Sequence, residues 1–409
     1  MSWSPVNRVG ASALLAGALL VAAHSAFGQQ GQPEAPAGAP AYRAALVTYG
    51  PGPIYWQRFG HNAIWLQEPA RGLDHVFNFG FFDFNQESFL LRFVQGRMLY
   101  FAAMLPAADE EAYYRRENRS IRVQTLNLDP AQYARLRDFL LFSVQPENRN
   151  YLYDYYLDNC STRIRDALDI ALDGALAEQF RPQPGLETFR DHTRRSTVAE
   201  YWYYLGLEVV LGMPVDRPID RWEEMFMPAV LADSLNEVTQ LRARGLQPLV
   251  AEDREVFVSS LPPPPAWPPE LWWRYLLPSL AVLALAWLAA RHGSPVLVEG
   301  FMQGWLLTGG TLGLLMVAIW VGTDHAAANP NCNLLLLNPL MVLGLVRPLR
   351  KPLALLIGLA AFTAVVVAIL PDVQYTRDVA ALLAPLDLAC ALRMWRTSAP
   401  AGGRVRTSA

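Results

Sequence analysis

The sequence predicts an α+β exported domain followed by an all-α polytopic membrane domain. Three observations carry that expectation. The chain opens with a short segment holding Arg8, an apolar run from about Val9 to Ala23, and small residues at Ala26 and Gly28, the layout of a secretory leader. Between residues 42 and 262 aromatic and charged residues are mixed, with strand patterns early and helix patterns around them. After the polyproline stretch "SLPPPPAWPPE", apolar runs follow one another almost to the C-terminus. With 52% apolar and 17% charged residues in 409, the average fits a soluble domain and a membrane domain joined in series better than either alone. A net charge of −3 without any basic tract argues against a nucleic-acid partner, and three cysteines are too few for a disulfide scaffold.

Taken in order, residues 1–28 read as the leader and 29–41 as a Pro/Ala/Gly/Gln linker with nothing to bury. "AALVTYG" and "NAIWLQ" read as strands, and "HVFNFGFF" as a third after a turn at "EPARGLD". "SFLLRFVQG" reads as a short helix and "SIRVQTLNL" as another strand. Asp129 with Pro130 opens a helix over "DPAQYARLRDFLLFSVQ", and a helix starting near Asp158 carries Ile164, Leu168 and Leu172 on one face. Residues 263–270 form a stiff spacer, and 271–396 hold apolar runs near 271–290, 302–322, 333–346, 352–371 and 379–394. The first, second and fourth are long enough to span a bilayer, while the third and fifth are shorter. Five crossings from an exported domain put Arg291, Arg347, Arg350 and Lys351 on inner loops, and Arg393, Arg396, Arg404 and Arg406 at the inner end and tail. Only Arg377 falls outside, as the positive-inside rule requires. Asn338 and Asp387 are polar groups inside apolar runs, commonly satisfied internally. Residues 397–409 are a cytoplasmic tail.

One thiol stands out. Cys160, in "YLDNCSTR", is the sole cysteine of the exported domain, since Cys332 and Cys390 belong to the membrane region. A lone buried thiol is ordinarily a small hydrophobe. This one is flanked by polar residues, with Asp158 or Asn159 able to cap the helix it begins, and a helix start favours thiolate. A thiolate nucleophile needs an imidazole partner. Of His61, His75 and His192, His61 is the best placed, at the start of an apolar strand after a glycine; His192 lies in "FRDHTRRS", which reads as a solvated loop. A strand-edge histidine is also commonly a plain hydrogen-bonder. A third group should orient the imidazole. If the hairpin turns near Arg71, positions 61, 63 and 65 share a face with 80, 78 and 76, which brings Asn78 near His61; Asp83 is the next choice.

"VTYGPGPIYWQRFGHNAIWL", "VFNFGFFDF", "YYLDNCSTRIRDAL" and "EEMFMPAVLADSL" together resemble the periplasmic domain of the Lnb-type lipoprotein N-acyltransferases, and "TDHAAANPNCNLLLLNP" resembles the polar loop entering a helix of that family's C-terminal region. The histidine-then-cysteine order is the reverse of papain and resembles the circularly permuted NlpC-type fold. The resemblance implies transfer of an acyl chain from a phospholipid to the α-amino group of a lipoprotein's diacylglyceryl-cysteine, with Cys160 as nucleophile and His61 as base. It implies phospholipid, lipoprotein and membrane as partners, an inner-membrane location, and no cofactor or metal. Asn159, Arg163 and Arg165 near the thiol, and His325, Asn329 and Asn333 at the membrane boundary, are candidates for holding lipid; each has a plain alternative as helix cap, solvated surface or loop residue. Two other readings stay open: a membrane-tethered cysteine hydrolase of lipid esters or peptidoglycan amides, and a non-catalytic lipid- or lipoprotein-binding protein.

Overall fold

Alternation of apolar and polar residues in the first half builds an antiparallel sheet. The computed structural model describes residues 41–397 except positions 244 and 372, so the expected leader, nearly all of the linker and most of the tail lie outside the described residues. The strands in the sequence's early part are β1 (Arg43–Tyr49), β2 (His61–Glu68), β3 (Leu73–Phe82), β4 (Leu99–Pro106), β5 (Ile121–Leu126) and β6 (Asn150–Leu152). A small hairpin, β7 (Thr239–Arg242) and β8 (Gly245–Pro248), precedes β9 (Val250–Phe257). The seven-stranded sheet runs β6-β4-β3-β2-β1-β5-β9. Its central hairpin turns through Pro69–Arg71 and Gly72, whose φ of +65° suits a residue without Cβ. Ala63 then stands opposite Asn78 and Trp65 opposite Val76, the register the alternation predicts.

Helices cover both faces. Between β3 and β6 lie α1 (Phe89–Gln95), α2 (Ala107–Arg116) and α3 (Pro130–Ser143), and α4 (Cys160–Ala171) follows. Leu46, Ile64, Leu66 and Phe77 of the sheet meet Leu136 and Leu140 of α3 and Ile164 and Leu168 of α4 in one core. On the other face Val47, Ala63 and Val76 meet Tyr114 of α2. Asp129 caps α3 by a reciprocal box with Gln132, and Asn159 does the same for α4 with Thr162. The chain then runs through α5 (Ala175–Phe180), α6 (Phe189–Thr197), α7 (Tyr201–Val210), α8 (Arg221–Glu224) and α9 (Pro228–Leu235) before β9 returns beside β5. The sequence "VAEDREVF" is polar because it forms an exposed edge strand, tied to β5 where Arg122 donates to both carboxylate oxygens of Asp253 at 2.9 and 2.7 Å.

Beyond the spacer, α10 (Trp272–Arg291), α11 (Pro295–Gly322) and α12 (Arg350–Ile369) are long and apolar enough to cross a membrane. The last helix, α13 (Arg377–Thr397), has 21 residues and is more polar, with buried Asp387 accepting from Trp305 Nε1 at 2.8 Å. At the third apolar run the backbone differs in form from the expected α-helix. Residues 332–345 form 3-10 turns, Cys332–Leu335 and Pro339–Leu345, instead of an α-helix. Pro339 lacks the N–H that a continuous helix needs. Gly313 of α11 also lets that segment's backbone come in: a Cβ there would stand 2.2 Å from Leu337 O and 2.7 Å from Pro339 N.

The membrane region grips the exported domain at the C-terminal end of α7. Asn331 Nδ2 donates to the carbonyls of Val209 and Val210, Asn333 Nδ2 to those of Glu208 and Val209, and Gln374 Nε2 to that of Leu211. These are the carbonyls that a helix end leaves without partners.

Candidate active site

Cys160 occupies the first position of α4. Asn159 Oδ1 accepts from the backbone N–H of Ser161 and Thr162 at 2.8 and 2.9 Å, and the Asn159 N–H donates to Thr162 Oγ1. Two of the backbone donors at the helix start are therefore consumed by the cap, and the Asn159 side-chain amide is committed to the carbonyls of Tyr155 and Phe226. Asn159 holds the helix, not a lipid. The backbone N–H of Asn62, the residue after His61, acts on the Cys160 thiol, which places thiol and imidazole at the same end of β2. The Asn62 side chain completes the joint, donating to Ser161 Oγ at 3.1 Å and to Pro228 O at 3.2 Å, and accepting from Thr48.

His61 meets Asn78 as the hairpin register requires, with Nε2 2.9 Å from Asn78 Oδ1. Asn78 is 1% exposed, and its Nδ2 donates to Glu110 Oε2 at 2.7 Å. Since the carboxylate takes the amide hydrogens, the Asn78 oxygen faces the ring, and Nε2 must carry the ring hydrogen. The lone pair is left on Nδ1. Tyr49 and Tyr114 stack at 3.4 Å, flanked by the His61 ring, and the Arg119 guanidinium lies 4.7 Å over the Tyr114 ring. Arg119 is buried, donates from Nε to Gly50 O at 2.8 Å, and has a buried Nη2 without a hydrogen-bond partner.

Residues 39–195 match the family of the Lnb N-terminal periplasmic domain, a stretch that contains Cys160, His61, Asn78, Glu110 and Arg119. That stretch of the chain is similar to the Lnb N-terminal periplasmic domain. No curated protein and no solved structure matches the chain. With three apolar helices behind it, the Lnb domain is the periplasmic part of a membrane protein.

Burial dominates the electrostatics of the Lnb domain's cluster. Desolvation lowers His61 to a pKa of about 4, against the hydrogen bond it donates to Asn78 Oδ1, which favours the charged ring; the Arg119 charge lowers it further. The Cys160 thiol is raised above its ordinary value, because burial outweighs the N–H groups of Asn62 and Ser161 and the charge of Arg119. The expectation of a thiolate prepared by the helix start is thus corrected: thiol and imidazole rest neutral. Glu110, 3% exposed, is pushed by burial to about 7 from an ordinary 4.5, although its bond to Asn78 opposes the shift.

That shift carries a stability cost. The folded pKa lies above the unfolded one, so the stabilisation from protonated Glu110 is complete below about pH 4.5 and is lost as pH rises through 7. At 1.36 kcal/mol per pKa unit the loss reaches about 3 kcal/mol. Glu110→Gln keeps an acceptor for Asn78 without the charge. It is expected to raise stability at pH 8 by up to that amount and to give no gain at pH 4, read from thermal unfolding at the two pH values.

The remaining candidates fall elsewhere. Arg163 is bound to both carboxylate oxygens of Asp158 and lies 4.3 Å over the Tyr151 ring. Arg165 is buried, donates to Trp222 O at 2.7 Å and stacks on Trp222 at 3.9 Å. Neither guanidinium is free for a lipid phosphate. Asp83 accepts from Asn85 in the loop after β3, and His75 stands opposite Leu66, toward the other end of the hairpin from His61. His325 packs on Gly96, Asn329 precedes Pro330 in the loop after α11, and Asn333 caps α7. His192 is not in a solvated loop: it is 3% exposed on α6, between Glu224 at 3.0 Å and Glu187 at 3.3 Å. These three are the one group among the described residues spaced for a metal. The backbone N–H groups of Leu186 and Glu187 donate to Glu224 and Arg195 pairs with Glu187 Oε2, while Glu187 Oε1 is buried without a hydrogen-bond partner.

Sequence reading misses Asn62, Glu110 and Arg119. Glu110 had a signal: it stands four residues before Tyr114, so both lie on the inward face of α2.

Proposed function

We propose that this protein is a lipoprotein N-acyltransferase of the inner membrane. The observation that carries the reading is a lone exported thiol beside a histidine whose tautomer is fixed by a buried Asn78–Glu110 relay, on a domain held at a membrane. The His-bearing strand precedes the Cys-bearing helix, which fits a permuted papain-like core. The arginine distribution fits five crossings, with α13 and the 3-10 segment making up the number.

In the first step the Cys160 sulfur attacks a phospholipid ester carbonyl while its proton passes to His61 Nδ1. The C–O bond to glycerol breaks, the leaving oxygen takes that proton, and a lysophospholipid departs from an acyl thioester. The α-amino group of a diacylglyceryl-cysteine then attacks the thioester carbonyl and gives a proton to His61, and the C–S bond breaks. The sulfur recovers the proton from His61. Arg119 Nη2 and the Cys160 N–H are the donors for the oxyanion in both steps.

The test is intact-protein mass spectrometry of the full-length protein after incubation with phospholipid. An acyl-sized adduct that is discharged on adding a diacylglyceryl-cysteine peptide is the expected result. Discharge by water alone would make the protein a hydrolase. Absence of an adduct, with Cys160 also resisting alkylation, would make it a binding protein.

A further inference from the structure

The helix α1 has the apolar sequence "FLLRFVQ", yet none of its residues is buried. Leu90 is 71% exposed and Leu91, Phe93 and Val94 are each more than half exposed, as is Phe84 just before it. A cluster of large exposed apolar side chains marks a surface that something covers. Its position says what covers it. The Gln95 carbonyl accepts from the backbone N–H of Asp324 at 2.9 Å, and Arg97 pairs with Asp324. Gly96, at φ +72°, packs so closely that a Cβ there would stand 3.2 Å from Asp324 C and His325 N. Asp324 lies two residues beyond the end of α11, a membrane-length helix. The apolar face of α1 is thereby tied to the level at which α11 leaves the bilayer.

From α1 a row of rings leads to the thiol. Phe93 neighbours Phe89 at 6.5 Å, Phe89 neighbours Phe84 at 5.2 Å, and Phe84 neighbours Phe82 at 4.9 Å. Phe82 then meets Tyr100 at 5.3 Å, and Tyr100 stacks on Tyr153 at 4.1 Å. At the end, Gly80 leaves open the place where a Cβ would touch both Cys160 Cβ, at 3.5 Å, and Tyr153, at 3.8 Å.

We propose that α1 dips into the membrane leaflet facing the domain and that the ring row guides one phospholipid acyl chain from that leaflet to Cys160. This rests on the acyl-transfer reading and names the path by which the donor arrives. A short apolar segment whose leucines and phenylalanine stand exposed suits the interface, and aromatic rings offer an acyl chain a continuous apolar wall.

The test uses the full-length protein in phospholipid nanodiscs carrying a trace of lipid with a photoreactive diazirine in its acyl chain. Irradiation is expected to attach lipid within residues 84–95, mapped by peptide mass spectrometry. The double variant Leu90→Glu, Leu91→Glu is expected to lower the ratio of Cys160 acylation by phospholipid to acylation by p-nitrophenyl butyrate at least tenfold. Crosslinks confined to α10–α13, or an unchanged ratio in the variant, overturn the proposal. If the variant does not fold, the crosslink map of the native protein decides alone. Crosslinks at α1 without any acyl adduct on Cys160 would sink the transferase reading and leave the membrane contact standing.

Discussion

Cys160→Ala is expected to leave no acyl adduct, and His61→Ala to slow acylation of Cys160 by about 10²- to 10⁴-fold, the span of a positioned general base. Both effects follow from the neutral resting pair. With His61 lowered to about 4 and the thiol raised by burial, little thiolate is expected at neutral pH, so in the proposed reaction the sulfur would depend on His61 Nδ1 to take its proton during attack. The same balance fixes a pH profile. Alkylation of Cys160 by iodoacetamide should rise about tenfold per unit between pH 7 and pH 9, as thiolate grows below a raised pKa. A plateau between pH 5 and pH 8 would instead reveal a standing thiolate–imidazolium pair and overturn this account.

Arg119→Met is expected to slow acylation by about 10²- to 10³-fold, the usual cost of losing one preorganised oxyanion donor. Asn159 occupies the N–H groups of Ser161 and Thr162, so the helix start has little else to offer a developing negative charge. Arg119 is buried, stacked on Tyr114 and left with Nη2 unpaired. Its loss also has an electrostatic signature. The positive charge lowers both His61 and Cys160, so the variant should move both titrations upward, the His61 ring being followed by NMR. A variant that slows acylation while leaving both titrations in place would limit Arg119 to holding the Gly50 carbonyl.

Cys160, His61 and Asn78 were legible because their placement is local. An N-cap and a two-residue period determine where those three stand, and the hairpin register does the rest. Glu110 and Arg119 reach the cluster only because the sheet brings α2 and the start of β5 against β1 and β2, which no short stretch of sequence records. Arg163 and Arg165 look available in sequence; Asp158 and Trp222 take them up, the second from 57 residues away. In the membrane region hydropathy identified where the chain turns apolar but not its backbone form. The 3-10 path of residues 332–345 depends on the small residues of α11 opposite it.

The asparagines and glutamine that close the end of α7 mean that the polyproline stretch marks a change of solvent, not a line along which the protein can be divided. Cut there, the soluble half would present the carbonyls of Glu208, Val209, Val210 and Leu211 with no donor from Asn331, Asn333 or Gln374. Held together, the thiol works at a set height over the bilayer. Under the proposed acyl transfer, a lipoprotein would have to bring its amino terminus down to that height, and one already lifted away from the membrane would lie beyond its reach.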